Sequence, residues 1–405
     1  MTKSSRRLLG LLIFGALAAA WLYAASLLWR TSVPDDLKLP KVDMSALVGA
    51  SELHQSQHFT LISNLFALCA MFLPLVVLAL YAKFGHRFMD ESAAGPIGTG
   101  MLLAMLGLAL VWIAMAAPGL AQLWWYRKHG IVTTGYAEWI FGSWLGLIPV
   151  FEQICLTILI VMGFARLLRN RWWIAAVPVF VGLLTLFVFI TPYEIPLNQL
   201  DGHAQLKAAE ARIAKREGVA KIPMRVQNVG TMTTAPNAFT AGLGPSRRVV
   251  LWDTILDGRF SEPELEVVVA HELGHQKHEH LWKNIGWYAL FVLPIAFLIA
   301  RWTRRRGGMS VPLAVPLFLF LWFALQTAIV PINNAYSRRL EAEADWTALQ
   351  ATNDPKAAKA LFVNFVSTTG EDPNPPAWAP FLFGTHPTEA QRIAMVEAWQ
   401  ARNGG

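Results

Sequence analysis

Seven long apolar stretches constrain this chain more than anything else in it. They run at about Leu8 to Trp29, Phe59 to Tyr81, Ile97 to Trp125, Ser143 to Ala165, Trp172 to Ile190, Ile285 to Ala300 and Val311 to Val330. Each is near the ~20 residues that an α-helix needs to cross hydrocarbon, and a backbone in lipid must satisfy its own hydrogen bonds. The expected fold is therefore mainly α: a polytopic membrane protein with about seven transmembrane helices. A hydrophobic share of 55% with only 15% charged residues in 405 agrees, because a soluble domain cannot cover that much apolar surface. The first stretch also has signal-peptide features, with Lys3, Arg6 and Arg7 ahead of it and small residues at Ala24-Ala25. Its apolar run is longer than such a segment carries, so we read it as an uncleaved helix.

Two polar regions interrupt this pattern, from about Pro196 to Lys283 and from the seventh stretch to Gly405, and we read them as one soluble lobe. The domain division expected is residues 1–191 as a membrane region of about five spans, 192–284 as the first part of the lobe, 285–332 as two further spans, and 333–405 as the rest of the lobe. In the first part, Gln205 to Glu217 has helical composition, while Pro223 to Val229 and Arg248 to Trp252 look like short strands. Thr240 to Ser246 supplies turn chemistry between them, so a small α+β unit is expected. Thr31 to Gln57 reads as a loop between the first two spans.

The lobe carries His271-Glu272-Leu273-Gly274-His275. On a helix this spacing sets two imidazoles one turn apart on one face with a carboxylate beside them. Two neutral histidines supply two of the three protein ligands of a catalytic zinc, and the glutamate can take a proton from the water in the open position. The helix should start at Ser261, because Ser261-Glu262-Pro263-Glu264 is a capping box with Pro in the first turn, followed by the apolar Val267 to Ala270. His278 falls near the same face and rivals for the third ligand, but it would lie further along the axis rather than across the metal. His278 and His280 read as polar surface or as groups behind the ligands.

A third ligand is better sought in Ser337 to Asp345, where Glu341 and Asp345 stand one turn apart. One can ligate while the other orients, and Asp345 is placed to accept the far N–H of a ligating imidazole. Glu343 points away from both on a helical wheel. The competing reading is a solvated charged helix with Arg338 paired to Glu341 and Arg339 to Glu343.

The order and spacing of further segments resemble the type 1 CAAX prenyl proteases and their bacterial relatives, membrane zinc metalloendopeptidases of the gluzincin type. The matching pieces are Pro192-Tyr193, Pro196-Leu197 and Asp201-Gly202; Asn237-Ala238-Phe239 with Gly242-Leu243-Gly244; Arg248 to Leu256; Ala270 to His275; Ser337 to Glu341 with Ala344-Asp345; and Thr385-His386-Pro387 with Arg392-Ile393. The resemblance covers about residues 140–395; the first three spans match in hydropathy alone. It implies that His271, His275 and Glu341 hold one zinc ion per chain, that Glu272 is the general base, and that Asp345 stands behind a ligand. It implies further that Asn237, Ala238 and Phe239 form an edge strand on which a peptide or protein substrate pairs, and that His386 is a catalytic donor to the oxyanion. Arg392 is a candidate partner for a carboxylate near the site. A ring of seven helices around a water-filled chamber is also implied, and Asn64, Glu152 and Gln153, polar groups inside apolar spans, suit such an interior.

No acyl-enzyme is expected, and Cys69 and Cys155 sit inside apolar spans where a thiol acts as a small hydrophobe. The net charge of +7 resides largely at the flanks of the spans, with no basic stripe in the lobe, so the lipid bilayer rather than nucleic acid is the expected partner. Lys3, Arg6, Arg7, Lys83, Arg87, Arg166, Arg169, Arg171, Arg301, Arg304, Arg305 and Arg306 fall on one side of the membrane, against Arg30, Lys38, Lys41, Arg127 and Lys128 on the other. Twelve against five makes the first side cytoplasmic and, with seven spans, puts the lobe outside the cytoplasm of a bacterial inner membrane. The substrate, membrane-associated, unfolded or lipidated, is not readable from these residues. The alternative class is a non-enzymatic seven-helix protein or a substrate-holding chaperone with a structural zinc, which needs a fourth protein ligand, such as His278 or His386, and no use for Glu272.

Overall fold

The computed structural model describes residues 3–85 and 92–403, so Arg87 of the charge count lies outside the described residues. The chain enters as α1 (Lys3–Leu28), passes a short α2 (Met44–Val48), and continues through α3 (Ala50–Phe84), α4 (Gly95–Lys128), α5 (Tyr136–Leu145), α6 (Leu147–Leu168) and α7 (Trp172–Glu194). Six apolar helical stretches are long enough to cross a membrane, and the fourth, Tyr136–Glu194, is 59 residues long. A single helix of that length would be about 88 Å, near three bilayer cores. It is instead broken at Arg169–Arg171, giving α6 with 22 residues and α7 with 23, which pack against each other. The expected seven helices are thus present, the fourth and fifth as a hairpin. Protein buries 0% of the most apolar window of α1 and at most 39% of that of any other stretch, so the remaining apolar surface requires lipid.

The lobe begins with β1 (Asn198–Gln199), α8 (Ala204–Glu217), β2 (Met224–Gln227), β3 (Ala238–Ala241) and β4 (Arg248–Trp252). The sheet order is β1-β2-β4-β3, with β2 parallel to β4 and β3 antiparallel to it, from Ala238 opposite Leu251 to Ala241 opposite Arg248. The turn out of β3 needs glycine: Gly242 has φ +85°, and a Cβ there would stand 2.3 Å from the Ser246 carbonyl oxygen. Then come α9 (Glu262–Lys277), α10 (His280–Thr303), α11 (Val315–Thr352), α12 (Pro355–Thr369), α13 (Trp378–Leu382) and α14 (Glu389–Asn403). α9 starts where its capping box places it, with the Ser261 N–H donating to Glu264 Oε2 at 2.7 Å. It ends at Lys277, and Glu279, with a φ of 53°, turns the chain into α10.

Two features depart from expectation. The loop expected over Thr31 to Gln57 contains α2 and the start of α3, and Met44, Val33, Leu37 and Val42 pack on the lobe core formed by α8, α9, α12 and α14. The seventh span and the carboxylate-bearing segment are one helix, α11, of 38 residues with Pro331 inside it. A proline in a membrane helix need not end it, because neighbouring helices can satisfy the freed carbonyl. α11 therefore runs about 57 Å from the membrane region into the lobe.

Glu217, the last residue of α8, is buried with neither carboxylate oxygen partnered among the described residues. Burial pushes its pKa up from 4.5 to about 8, against the pull of Lys277 and His271. Between those values the folded state holds a proton that the unfolded state has lost, so this group makes stability fall as pH rises through the window. Each tenfold difference in proton affinity between the two states is worth ~1.4 kcal/mol. Glu217→Gln should therefore melt with the wild type near pH 4.5 and gain a few kcal/mol over it near pH 8.5, read from melting curves at both pH values.

Candidate metal centre

α9 is buried on nearly every side, and it crosses α11 at a glycine. A Cβ on Gly274 would meet Ala344 Cα and Thr347 Cβ at 3.3 Å, tighter than an ordinary contact, so the two helices pass close here. This contact brings His271 and His275 of α9 over Glu341 of α11. His271 Nε2 lies 3.1 Å from Glu341 Oε2 and 3.1 Å from His275 Nε2, and His275 Nε2 lies 3.4 Å from Glu341 Oε2. Donors bound tetrahedrally at ~2.0–2.2 Å stand about 3.3–3.6 Å apart, so the three donors are spaced like three of the four corners of a zinc shell, slightly contracted. Burial opposes a charge on His271, but hydrogen bonds with Asp345 and Glu341 outweigh it and raise its pKa to about 10. Surroundings that draw a proton this strongly onto an imidazole suit a bound cation equally well.

Behind His271, Nδ1 meets Asp345 Oδ1 at 2.9 Å. Arg392 of α14 grips the same carboxylate with two bonds, Nε to Oδ2 at 2.9 Å and Nη2 to Oδ1 at 2.8 Å, and its guanidinium lies 4.1 Å over the Phe362 ring. Glu389 stands 3.4 Å from Arg392, and burial pushes its pKa up to about 7. Neither Arg338 nor Arg339 makes the pairing of the solvated-helix reading. Arg338 donates to the carbonyls of Pro380 and Gly384 at 2.5 and 2.6 Å, and Arg339 to that of Trp29 at 3.0 Å. The Arg338 clamp holds the segment that leads to His386, whose Nε2 is 3.2 Å from Glu341 Oε2. The His386 side chain is more than half exposed, and although the protein around it disfavours its charge, the Glu341 carboxylate outweighs that and raises its pKa.

His278 does not compete for the metal position: its Nε2 is 2.9 Å from Thr347 Oγ1 and its Nδ1 3.4 Å from Glu343 Oε1. Nor does His386 join the tight group, since among the described residues His271, His275 and Glu341 alone form the set whose ligand atoms all lie within 4.8 Å of one another. Glu343 points away from Glu341 and Asp345 as expected, but it is 2% exposed rather than solvated, facing His280 Nε2 at 2.9 Å and Lys283 Nζ at 3.1 Å. The helical wheel of α11 placed it correctly, on the side opposite Glu341; what the wheel could not show is the α9–α10 turn folding over that side.

The site opens into a cavity of ≈ 610 Å³ lined by Glu272 and His271, by Asn237 and Ala238 of the β3 end, by His386, and by Ser63 and Asn64 of the membrane helix α3. Phe239 is outside this lining, as strand alternation requires if its neighbour faces the cavity. Among the described residues no strand pairs with the outer side of β3, so its edge is free. Thr240 Oγ1 donates to the Glu272 carbonyl at 2.9 Å and ties that edge to α9. Asn64 thus faces a polar interior, whereas Glu152 and Gln153 are exposed on α6 and away from this cavity.

Residues 202–400 match peptidase family M48. An uncharacterized metalloprotease of Bacillus subtilis, YhfN, is 24% identical over 399 residues, covering 91% of this chain and 90% of that one. A CAAX prenyl protease 1 homolog of Oryza sativa is 27% identical over 180 residues, 41% of each chain. The crystal structure of S. mikatae Ste24p superposes with a TM-score of 0.68 at 18% identity, covering 94% of this chain and 96% of that one. That similarity is one of fold and extends through the membrane helices.

The Gly274 contact sets the spacing between the two halves of the site. Gly274→Val should cost ~1–3 kcal/mol by overpacking and weaken metal binding, with Gly274→Ala between it and the wild type; melting and metal titration of the three proteins check the order.

Proposed function

We propose that this chain, whose residues 202–400 match peptidase family M48, is a membrane-embedded, zinc-dependent endopeptidase that cuts extended segments of membrane-associated or unfolded proteins. The observation that carries the reading is the triangle of His271, His275 and Glu341 donors with edges of 3.1–3.4 Å, set beside Glu272 in a cleft bordered by a free strand edge. A zinc ion held there would supply a Lewis acid and lower the pKa of a bound water toward 7. Glu272 takes a proton from water and returns it to the leaving amine. His386, with its pKa raised by Glu341, donates toward the developing oxyanion. Asp345, clamped by Arg392, keeps the His271 proton on Nδ1 so that Nε2 stays free to ligate. The substrate backbone adds to β3 beside Asn237 and Ala238, which orients the scissile carbonyl without reading a particular side chain.

In this reading residues 1–191 and 285–332 form the membrane region and 192–284 and 333–405 the lobe. Ser63 and Asn64 of α3 line the cleft, so a polypeptide can approach it from the membrane side. A lipid anchor on the substrate is a separate question, which a farnesylated peptide offered beside an unfolded protein decides. The lobe faces away from the cytoplasm of a bacterial inner membrane. A phosphatase reporter fused after Gly405, active only outside the cytoplasm, should be active; an inactive fusion with the chain intact reverses the orientation.

Glu272→Gln should retain zinc and lose about 10²–10⁴-fold in kcat. Zinc content and cleavage of unfolded protein by the two detergent-purified proteins check this. Equal cleavage by both would remove Glu272 from the chemistry, and zinc without cleavage in either would favour a structural metal.

A further inference from the structure

His275 has a companion that its partner ligand lacks. Its Nδ1 lies 2.8 Å from Nδ1 of His280, and His280 Nε2 lies 2.9 Å from Glu343 Oε2. His280 and Glu343 are both only 2% exposed, so neither is a surface group that happens to lean inward. We propose that His280 and Glu343 are positioning residues for the metal ligand His275, a buried imidazole–carboxylate relay that holds its proton on Nδ1 and its Nε2 toward the metal. This rests on the zinc reading above.

The hydrogen bonds permit one assignment only. Two facing ring nitrogens need one donor and one acceptor. An imidazole that ligates through Nε2 is neutral and carries its proton on Nδ1, so His275 donates and His280 Nδ1 accepts. His280 then carries its proton on Nε2, where it faces a carboxylate that can only accept. Every buried polar atom of the relay is satisfied in this state, and reversing either ring leaves two lone pairs, or two protons, in contact.

The backbone is arranged for this contact. Glu279 takes the left-handed φ of 53°, a conformation a residue with a side chain adopts at some cost, and the turn it makes swings His280 back over His275. Glu343 is held in turn by Lys283 Nζ at 3.1 Å and by the Ser32 N–H, so the far end of the relay is fixed by α10 and by the chain leaving α1. α11 therefore orients both histidines, His271 directly through Asp345 and His275 through His280 from Glu343.

The test is the zinc dissociation constant of the full-length protein in detergent, by competition with a chelating dye, together with the melting temperature of the metal-free protein as a check of folding. His280→Ala should bind zinc about 10–100-fold more weakly. His280→Asn, whose amide oxygen can accept from His275 Nδ1, should recover most of that loss. His278→Ala removes a half-buried imidazole that meets Glu343 Oε1 at 3.4 Å but makes no hydrogen bond with His275 or His280, and it should stay within about twofold of wild type. An unchanged affinity in a folded His280→Ala, or an equal loss in His278→Ala, overturns the proposal. If His280→Ala does not fold, His280→Asn decides: an affinity within about fivefold of wild type supports the relay and a loss of about 10-fold or more overturns it. Failure of the wild type to bind zinc would instead overturn the metal reading itself, which keeps the two outcomes distinct.

Discussion

The rest of the site depends on one contact, the crossing of α9 and α11 at Gly274. A side chain there would press on Ala344 Cα at 3.3 Å, tighter than an ordinary contact, so the helices pass close to each other. That approach brings imidazoles from one helix within 3.1–3.4 Å of a carboxylate from another 70 residues away in sequence. Two imidazoles and a carboxylate brought together so tightly suit a bound cation, and other groups brace them: Asp345 and Arg392 behind one histidine, the Arg338 clamp beside the cleft, and the capping box that sets the phase of α9.

The carboxylates of α11 show how one helix divides its labour. Glu341 faces the metal position, Asp345 one turn on faces the back of His271, and Glu343 lies on the opposite side of the helix. Glu343 contributes nothing to a helix in isolation; it acquires a partner because the chain turns at Glu279 and lays His278 and His280 over that side. Buried charges of this kind are tolerable only in company, and each has it: Asp345 with Arg392, Glu343 with Lys283.

What was legible in the sequence follows the range of the interactions. The start of α9, the spans, the strands at Met224–Gln227 and Arg248–Trp252 and the pairing of His271 with His275 are set by neighbours a few residues away, and patterning exposed them. The contact of Asp345 with His271 lay within reach of a one-turn spacing. The Arg338 clamp on Pro380 and Gly384, the packing of α2 on the lobe and the company of Glu343 all join segments more than 40 residues apart, for which no local pattern exists. The continuity of α11 was hidden for another reason: its hydropathy changes abruptly at the membrane boundary while its backbone does not.

That continuity gives the protein a lever. Glu341 lies ten residues beyond Pro331 on the same rod, about 15 Å along it, so a tilt of about 5° at the proline would carry the carboxylate sideways by about 1.3 Å. Displacements near 1 Å are enough to spoil catalytic geometry. The bracing of α11 near its polar end, where Arg339 binds the Trp29 carbonyl at 3.0 Å and Tyr336 stacks on Trp287 at 4.1 Å, therefore shields the coordination geometry from the bilayer. In mechanical terms the thickness and tension of the lipid are loads on the cluster of His271, His275 and Glu341, and these aromatic and arginine contacts are its bearings.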